Sequence, residues 1–260
     1  MHHSPSRYYR SKHLLPSVLI LLLLCQPAPA EPFTFEKGEL PILLVAPHAG
    51  GEDLAGAAIR QKEESGDPNF SNKRDLVTLE LAELYKQELH QATGKSPSVL
   101  VSHIHRKFCD LNRPEELSSP PGPGQDVHRA FHTTLRQEVD RLIEVHGRVL
   151  LLDLHGQSAQ PQDLTIGVRR GEVIGEWSRV LLWGQGGLVA QLRQADFSVV
   201  PDQPEEKIRY GGGFIVKTYG AAPEVEAWQL EHGKELRFNP ERNGKFVKLM
   251  AQILKRAFEQ

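Results

Sequence analysis

The sequence predicts an α/β fold, a single-domain sandwich with a mixed, largely parallel central sheet flanked by helices. Three observations predict it. Short apolar runs alternate along the chain with amphipathic helical segments. Several of those runs are continuously apolar, as in VLLLDL at 149–154, which is the pattern of strands covered on both faces. Residues 31–260 form a chain long enough for one good core, and they contain no internal repeat.

The elements run in chain order. Residues 1–30 read as a secretory signal peptide, ahead of a catalytic domain at 31–260. Arg7, Arg10 and Lys12 make a positive start without an acid, LLPSVLILLLLC (14–25) is the apolar stretch, and Ala28-Pro29-Ala30 is a small-x-small cleavage site. The apolar stretch is shorter than the ~20 residues of a spanning helix. A protein cleaved after Ala30 is secreted or periplasmic, with no stable membrane association. LPILLVA (40–46) reads as a buried strand. Residues 75–91 read as a helix capped by Asp75, with Leu76, Leu79, Leu84 and Leu89 among Glu and Lys. Val99–Ile104 is the second strand. PEELSSPPGPGQD (114–126) reads as a loop without helix or strand, either a flap or plain surface. Residues 127–145 form a helix stopped by Gly147, and 149–154 is the central strand. A strand at 164–168, a short helix at 187–195, strands at 214–217 and 225–231, and a last helix at about 241–258 complete the chain.

Composition excludes several functions. Hydrophobic residues at 39% and charged residues at 25% are globular values. A net charge of -2 supplies no basic surplus for nucleic acid. The two cysteines, Cys25 and Cys109, are too few for a disulfide framework or a cysteine-ligated zinc. Cys109 reads as structural.

Ligands of open α/β sheets sit beyond the carboxyl ends of the strands. The residues just past each predicted strand are therefore informative. The first strand runs into Pro47-His48-Ala49-Gly50-Gly51-Glu52-Asp53, and the second into Arg106-Lys107-Phe108-Cys109-Asp110-Leu111-Asn112-Arg113. The central strand ends in Asp153-Leu154-His155-Gly156, and a late one in Gln229-Leu230-Glu231. Two neutral imidazoles and one carboxylate are the usual protein side of a catalytic zinc site, with a position left for water. His48, His155 and a nearby acid fit that set, and Glu231 fits the separate carboxylate that moves the proton. Glu52 is the preferred third ligand because Gly50-Gly51 lets the chain turn back, with Asp53 and Asp75 as alternatives. Arg106, Asn112 and Arg113 make a receptor for a substrate carboxylate. Asp110 and Asp153 read as groups that orient the ligands.

These pieces, with Gly212–Gly220 (GGFIVKTYG), resemble the N-formylglutamate amidohydrolase family in content and order over roughly residues 40–240. That family is similar to zinc carboxypeptidases and aspartoacylases. The resemblance implies a zinc-dependent hydrolase of a C–N amide bond, one Zn2+ per chain, acting on a small-molecule or peptide substrate that carries a carboxylate. It implies His48 and His155 as metal ligands, Asn112 and Arg113 as the carboxylate clamp with Arg106 assisting, and Glu231 as general acid/base. The His-x-x-Glu pair of the carboxypeptidase group is absent, since Gly51 stands three residues after His48. A non-catalytic binding protein for carboxylated ligands, and a phosphoesterase holding two metals on Asp53, Asp75, Asp110 and Asp153, are the rival readings.

Overall fold

The computed structural model of the chain describes residues 31–168, 175–204, 206 and 210–258. The signal peptide reading of 1–30 lies outside the described residues. The elements are β1 (Phe33–Glu36), β2 (Ile42–Ala46), α1 (Lys62–Ser65), α2 (Thr78–Thr93), β3 (Ser98–Ser102), α3 (Glu115–Ser118), α4 (Pro123–His146) and β4 (Val149–Gly156). They continue with β5 (Leu164–Gly167), α5 (Glu176–Trp183), α6 (Leu188–Gln194), β6 (Val199–Val200), α7 (Phe214–Tyr219), β7 (Val225–His232), α8 (Lys234–Arg237) and α9 (Pro240–Phe258). Among the described residues no helix is long and apolar enough to cross a membrane.

One mixed sheet runs in the order β1-β3-β2-β4-β7-β5-β6. The β3-β2-β4-β7 block is parallel, while β1 and β5 pair antiparallel to β3 and β7. The predicted sandwich is therefore the fold, with β4 at the centre of the sheet. Side chains alternate across it as the strand period demands. Ile42, Leu44, Leu150, Leu152, Trp228 and Leu230 enter a core shared with α2, α6 and α9. Leu43, Val45, Val149, Leu151, Val225 and Ala227 enter the opposite core, under α4 and α7. The same alternation carries Asp153 and His155 of β4, and Gln229 and Glu231 of β7, onto the α4 side at the carboxyl ends of adjacent strands. His232 falls on the other side, beneath α2 and α9.

Three local expectations are corrected. The 114–126 segment is not irregular throughout. It holds the turn of α3, and α4 begins at Pro123, where a proline at the first helical turn forfeits no hydrogen bond. Phe214–Lys217 is helical, not a strand. Its apolar residues favour a strand locally, but Ile215, Val216 and Tyr219 gather on one helix face against the α4-side core. Finally, α2 starts at Thr78, after Val77 at φ 70, so Asp75 is not its cap. Asp75 is left free to turn toward the strand ends.

Immediately before β5, Asp163 ties the segment leading into β6 to the first turn of α9. Its carboxylate accepts from Ser198 N at 2.8 Å and from Arg242 Nε and a terminal nitrogen at 3.0 and 2.7 Å. Burial opposes its ionisation, but the bonds from Arg242 and Ser198 outweigh burial and hold its pKa below the usual value. A depressed carboxylate stabilises the fold fully above its unfolded pKa of about 4 and loses that contribution as pH falls through the folded one. Asp163→Ala is expected to remove about 1–2 kcal/mol near pH 7, discounted because Arg242 is partly exposed. The Tm gap between wild type and variant should close as pH falls through the depressed pKa of the folded state. A gap that is constant with pH would rule out the ionised pair as its source.

Candidate active site

His48 lies two residues beyond β2, with its backbone turned by a close approach. A Cβ on Gly50 would fall 2.1 Å from the His103 carbonyl carbon, so only glycine lets the loop run against the chain leaving β3. The His48 carbonyl accepts the Asp75 backbone amide at 3.0 Å. That bond, rather than sequence proximity, brings the acid to the histidine. His155 arrives from the last residues of β4.

The three side chains converge. His48 Nδ1 is 3.2 Å from His155 Nδ1, Asp75 Oδ2 is 2.9 Å from His155 Nδ1, and Asp75 Oδ2 is 3.5 Å from His48 Nδ1. Both imidazoles are buried. Among the described residues this is the group of histidines and acids with metal-holding spacing. The donor set can be tested against an ion. Tetrahedral bonds of about 2.0–2.1 Å place neighbouring donor atoms about 3.3–3.4 Å apart. The three observed separations bracket that value, so the residues fit a first-row metal.

The outer nitrogens reinforce the fit. His48 Nε2 is 2.7 Å from Asp110 Oδ1, and His155 Nε2 is 3.0 Å from Asp153 Oδ1. A neutral His48 that donates its Nε2 hydrogen to Asp110 presents a bare Nδ1 to the centre. Asp110 is fully buried, and Arg106 reaches its Oδ2 from Nε at 2.8 Å and from a terminal nitrogen at 2.7 Å. Burial would raise the pKa of Asp110, but Arg106 and His48 hold it well below the ordinary range. Burial would lower that of His155, but Asp153 and Asp75 hold it well above. Asp75 is driven low by the two imidazoles against its own burial. Each direction says that the centre favours positive charge.

Glu231 lies on β7 in register with His155 and is 7% exposed. Gln229 Nε2 donates to its Oε1 at 2.7 Å, which leaves Oε2 as the free oxygen. Its pKa is raised, chiefly by burial and also by Asp75, against the opposing pull of His155 and Gln229. A buried carboxylate raised in this way is suited to accept and return a proton.

The other sequence-predicted residues divide. Glu52 is exposed, with its backbone held in a bridge to Ile104, and the structure does not bring it to the histidines. Asp53 pairs with Lys107 at 2.8 Å on the surface. Of the acids left open, Asp75 is the one that joins the group. Asn112 is placed against His155, with Nδ2 2.9 Å from Nε2, while it also donates to Asp153 and accepts the Ile215 amide. Arg113 turns away, its Nε on Asp67 at 2.7 Å and its terminal nitrogens on the Asn112 and Asn69 carbonyls. Arg106 keeps one terminal nitrogen without a partner among the described residues. His128 and His132 of α4 escaped the sequence reading. They donate to the Arg113 and Leu111 carbonyls, both at 2.9 Å, and so brace the Asn112 loop. Their i, i+4 spacing on a helix was the available signal.

Comparison with known proteins agrees with this architecture. The chain is similar to N-formylglutamate deformylase of Pseudomonas putida, 27% identical over 240 residues, covering 76% of this chain and 82% of that protein. No family model matches the chain. In structure it is similar to N-formylglutamate amidohydrolase from Ralstonia eutropha JMP134, with TM-score 0.59 and 19% identity, covering 88% of this chain and 97% of that one. A gene product of Agrobacterium tumefaciens gives TM-score 0.57 at 16% identity, covering 88% and 94%. At these identities the structural likenesses bear on fold alone.

The packing of α7 on the site yields a test. A Cβ on Gly213 would lie 2.5 Å from Asn112 Nδ2 and 2.7 Å from Gln229 Oε1. Gly213→Ala is expected to displace the two amides that hold His155 and Glu231. Thermal melting should show a loss of about 1–3 kcal/mol, as for overpacking. An unchanged Tm would show that the loop yields freely.

Proposed function

We propose that the chain belongs to the N-formylglutamate amidohydrolase family and catalyses metal-dependent hydrolysis of a C–N amide bond in an N-acyl amino acid or peptide bearing a free carboxylate. The observation that carries the reading is the convergence of His48, Asp75 and His155, with Glu231 one strand away. Zinc is the metal proposed, from the pairing of two imidazoles with one carboxylate. When bound, it would supply Lewis acidity toward the scissile carbonyl and acidify a water.

The chain's own groups do the rest. His48, Asp75 and His155 would hold the ion, and Asp110, Asp153 and Asn112 would keep the imidazoles turned toward it. Glu231 takes the water proton at Oε2 and delivers it to the leaving nitrogen, the two halves of general acid–base transfer. Its raised pKa supports both, since a base nearer neutrality also returns the proton readily. The substrate carboxylate is assigned to the arginine group. Arg106 offers its unpartnered nitrogen, and a carboxylate that reaches Arg113 competes with Asp67 for it. Asn112 serves indirectly, by steadying His155.

The N-terminal thirty residues support a location outside the cytoplasm, secreted or periplasmic. There the substrate is an external N-acyl amino acid, peptide or cell-wall fragment rather than the compound in a relative's name.

Two experiments test the reading. Purified protein should carry about one zinc per chain, a content lost in His48→Ala, Asp75→Ala and His155→Ala. Glu231→Gln should keep the zinc and lose at least about 10²-fold in kcat against N-acyl amino acids. Full activity in that variant, or zinc retained after loss of His155, would end the proposal. For export, the N-terminal residue of protein recovered outside the cytoplasm should be Glu31, and a product retained in the cytoplasm with Met1 intact would refute the address.

A further inference from the structure

Arg237, the last residue of α8, is buried at 6% exposure, and its three nitrogens all bond to backbone carbonyls. Nε donates to the His232 carbonyl at 3.0 Å, one terminal nitrogen to that of Gln157 at 3.1 Å, and the other to that of Leu76. Among the described residues no carboxylate forms an ion pair with it. A buried guanidinium without a direct counter-ion is costly, so its placement calls for a reason.

The three carbonyls supply one. Leu76 follows Asp75, Gln157 is two residues beyond His155, and His232 follows Glu231. Each belongs to a different segment: the approach to α2, the end of β4 and the end of β7. The adjoining His232 repeats the tie from beneath the sheet. Its Nδ1 donates to the His155 carbonyl at 3.1 Å, and its Nε2 accepts from the Tyr85 hydroxyl of α2 at 3.0 Å. Gly156 makes room for the fork, because a Cβ there would stand 2.5 Å from the Arg237 guanidinium carbon. The acids whose charge acts on Arg237 are Asp75 and Glu231, and burial draws its pKa down against them.

We propose that Arg237 is a positioning residue of the candidate active site, whose planar fork holds the segments carrying Asp75, His155 and Glu231 at their mutual spacing. The inference rests on the metal-hydrolase reading for its functional consequence. A lysine cannot replace the fork, because a single ammonium does not reach three carbonyls spread around a plane.

The test uses the full chain in four forms: wild type, Arg237→Met, Arg237→Lys and Arg242→Met. The last removes an arginine whose guanidinium bonds to Asp163 and the Asp196 carbonyl and, among the described residues, to no group of the site. Amide hydrogen exchange is measured on metal-free protein, and zinc affinity by competition with a chromogenic chelator. Arg237→Met is expected to speed exchange within 75–78, 155–158 and 231–233 and to weaken zinc binding by roughly 10–100-fold, the range for groups that orient metal ligands. Arg237→Lys should recover part of the affinity, and Arg242→Met should lower Tm while leaving zinc affinity within about twofold, because among the described residues its side chain bonds only to Asp163 and Asp196 and to none of the three site segments. Wild-type exchange and wild-type affinity in Arg237→Met would overturn the proposal. So would an equal loss of affinity in Arg242→Met, which would mark a general stability effect. Should Arg237→Met fail to fold, Arg237→Lys decides by the same two measurements. A wild type that takes up no zinc overturns the metal reading instead, and the exchange pattern still decides the role of Arg237.

Discussion

Three electron-rich atoms, His48 Nδ1, His155 Nδ1 and Asp75 Oδ2, face one another at 2.9 to 3.5 Å inside the protein. Such a grouping is tolerable only with positive charge at its centre, as a proton on His155 or as a metal ion. Much of the surrounding structure answers that constraint. Asp110 holds the outer nitrogen of His48, and Asp153 and Asn112 lie within 3.0 Å of that of His155. Arg106 and Arg60 in turn surround Asp110, which could not remain ionised at zero exposure without them. The polarity alternates outward from the centre, and each buried charge is answered by the next.

This electrostatic order depends on the parallel block of the sheet. Because β2, β4 and β7 are neighbours running the same way, their carboxyl ends open side by side. Strand alternation then sends Asp153, His155, Gln229 and Glu231 to one face while Leu152, Leu154, Trp228 and Leu230 seal the other. The apolar interior under α2 and α9 is the rigid floor against which a polar cluster can be held. Cores packed at crystal-like density yield little, and ligand atoms kept within a few tenths of an ångström need such support.

Elements on both faces serve the same centre. From the α4 side, His128 and His132 hold the loop that delivers Asn112, and α7 closes over it through Gly213. From the α2 side, His232 and Arg237 hold the strand ends. The four residues bond mostly to backbone carbonyls. Their influence is therefore on geometry, not on the reacting atoms.

Period and composition were enough to read the α/β class, the central position of 149–154, the amphipathic helices and the two histidines at strand ends. These rest on local rules: apolar runs need cover on both faces, and open sheets present their chemistry at carboxyl ends. The helix at 214–219 was not legible, because its residues favour a strand until they meet the α4-side core. The acid of the ligand set was not legible either. Sequence distance favoured Glu52, four residues from His48, over Asp75, twenty-seven residues away. Only the folded chain, in which the Asp75 amide bonds to the His48 carbonyl and Glu52 is held at the surface, decided between them. Arg237 belongs to the same class. Its value lies in joining three segments, one of them 161 positions from Arg237 itself, and no local pattern records which carbonyls a guanidinium will find. The sequence by itself determined which chemical groups the chain possesses and which strands carry them. Tertiary structure decided which of those groups share a point in space, because that depends on long-range backbone hydrogen bonds and on packing against a common core.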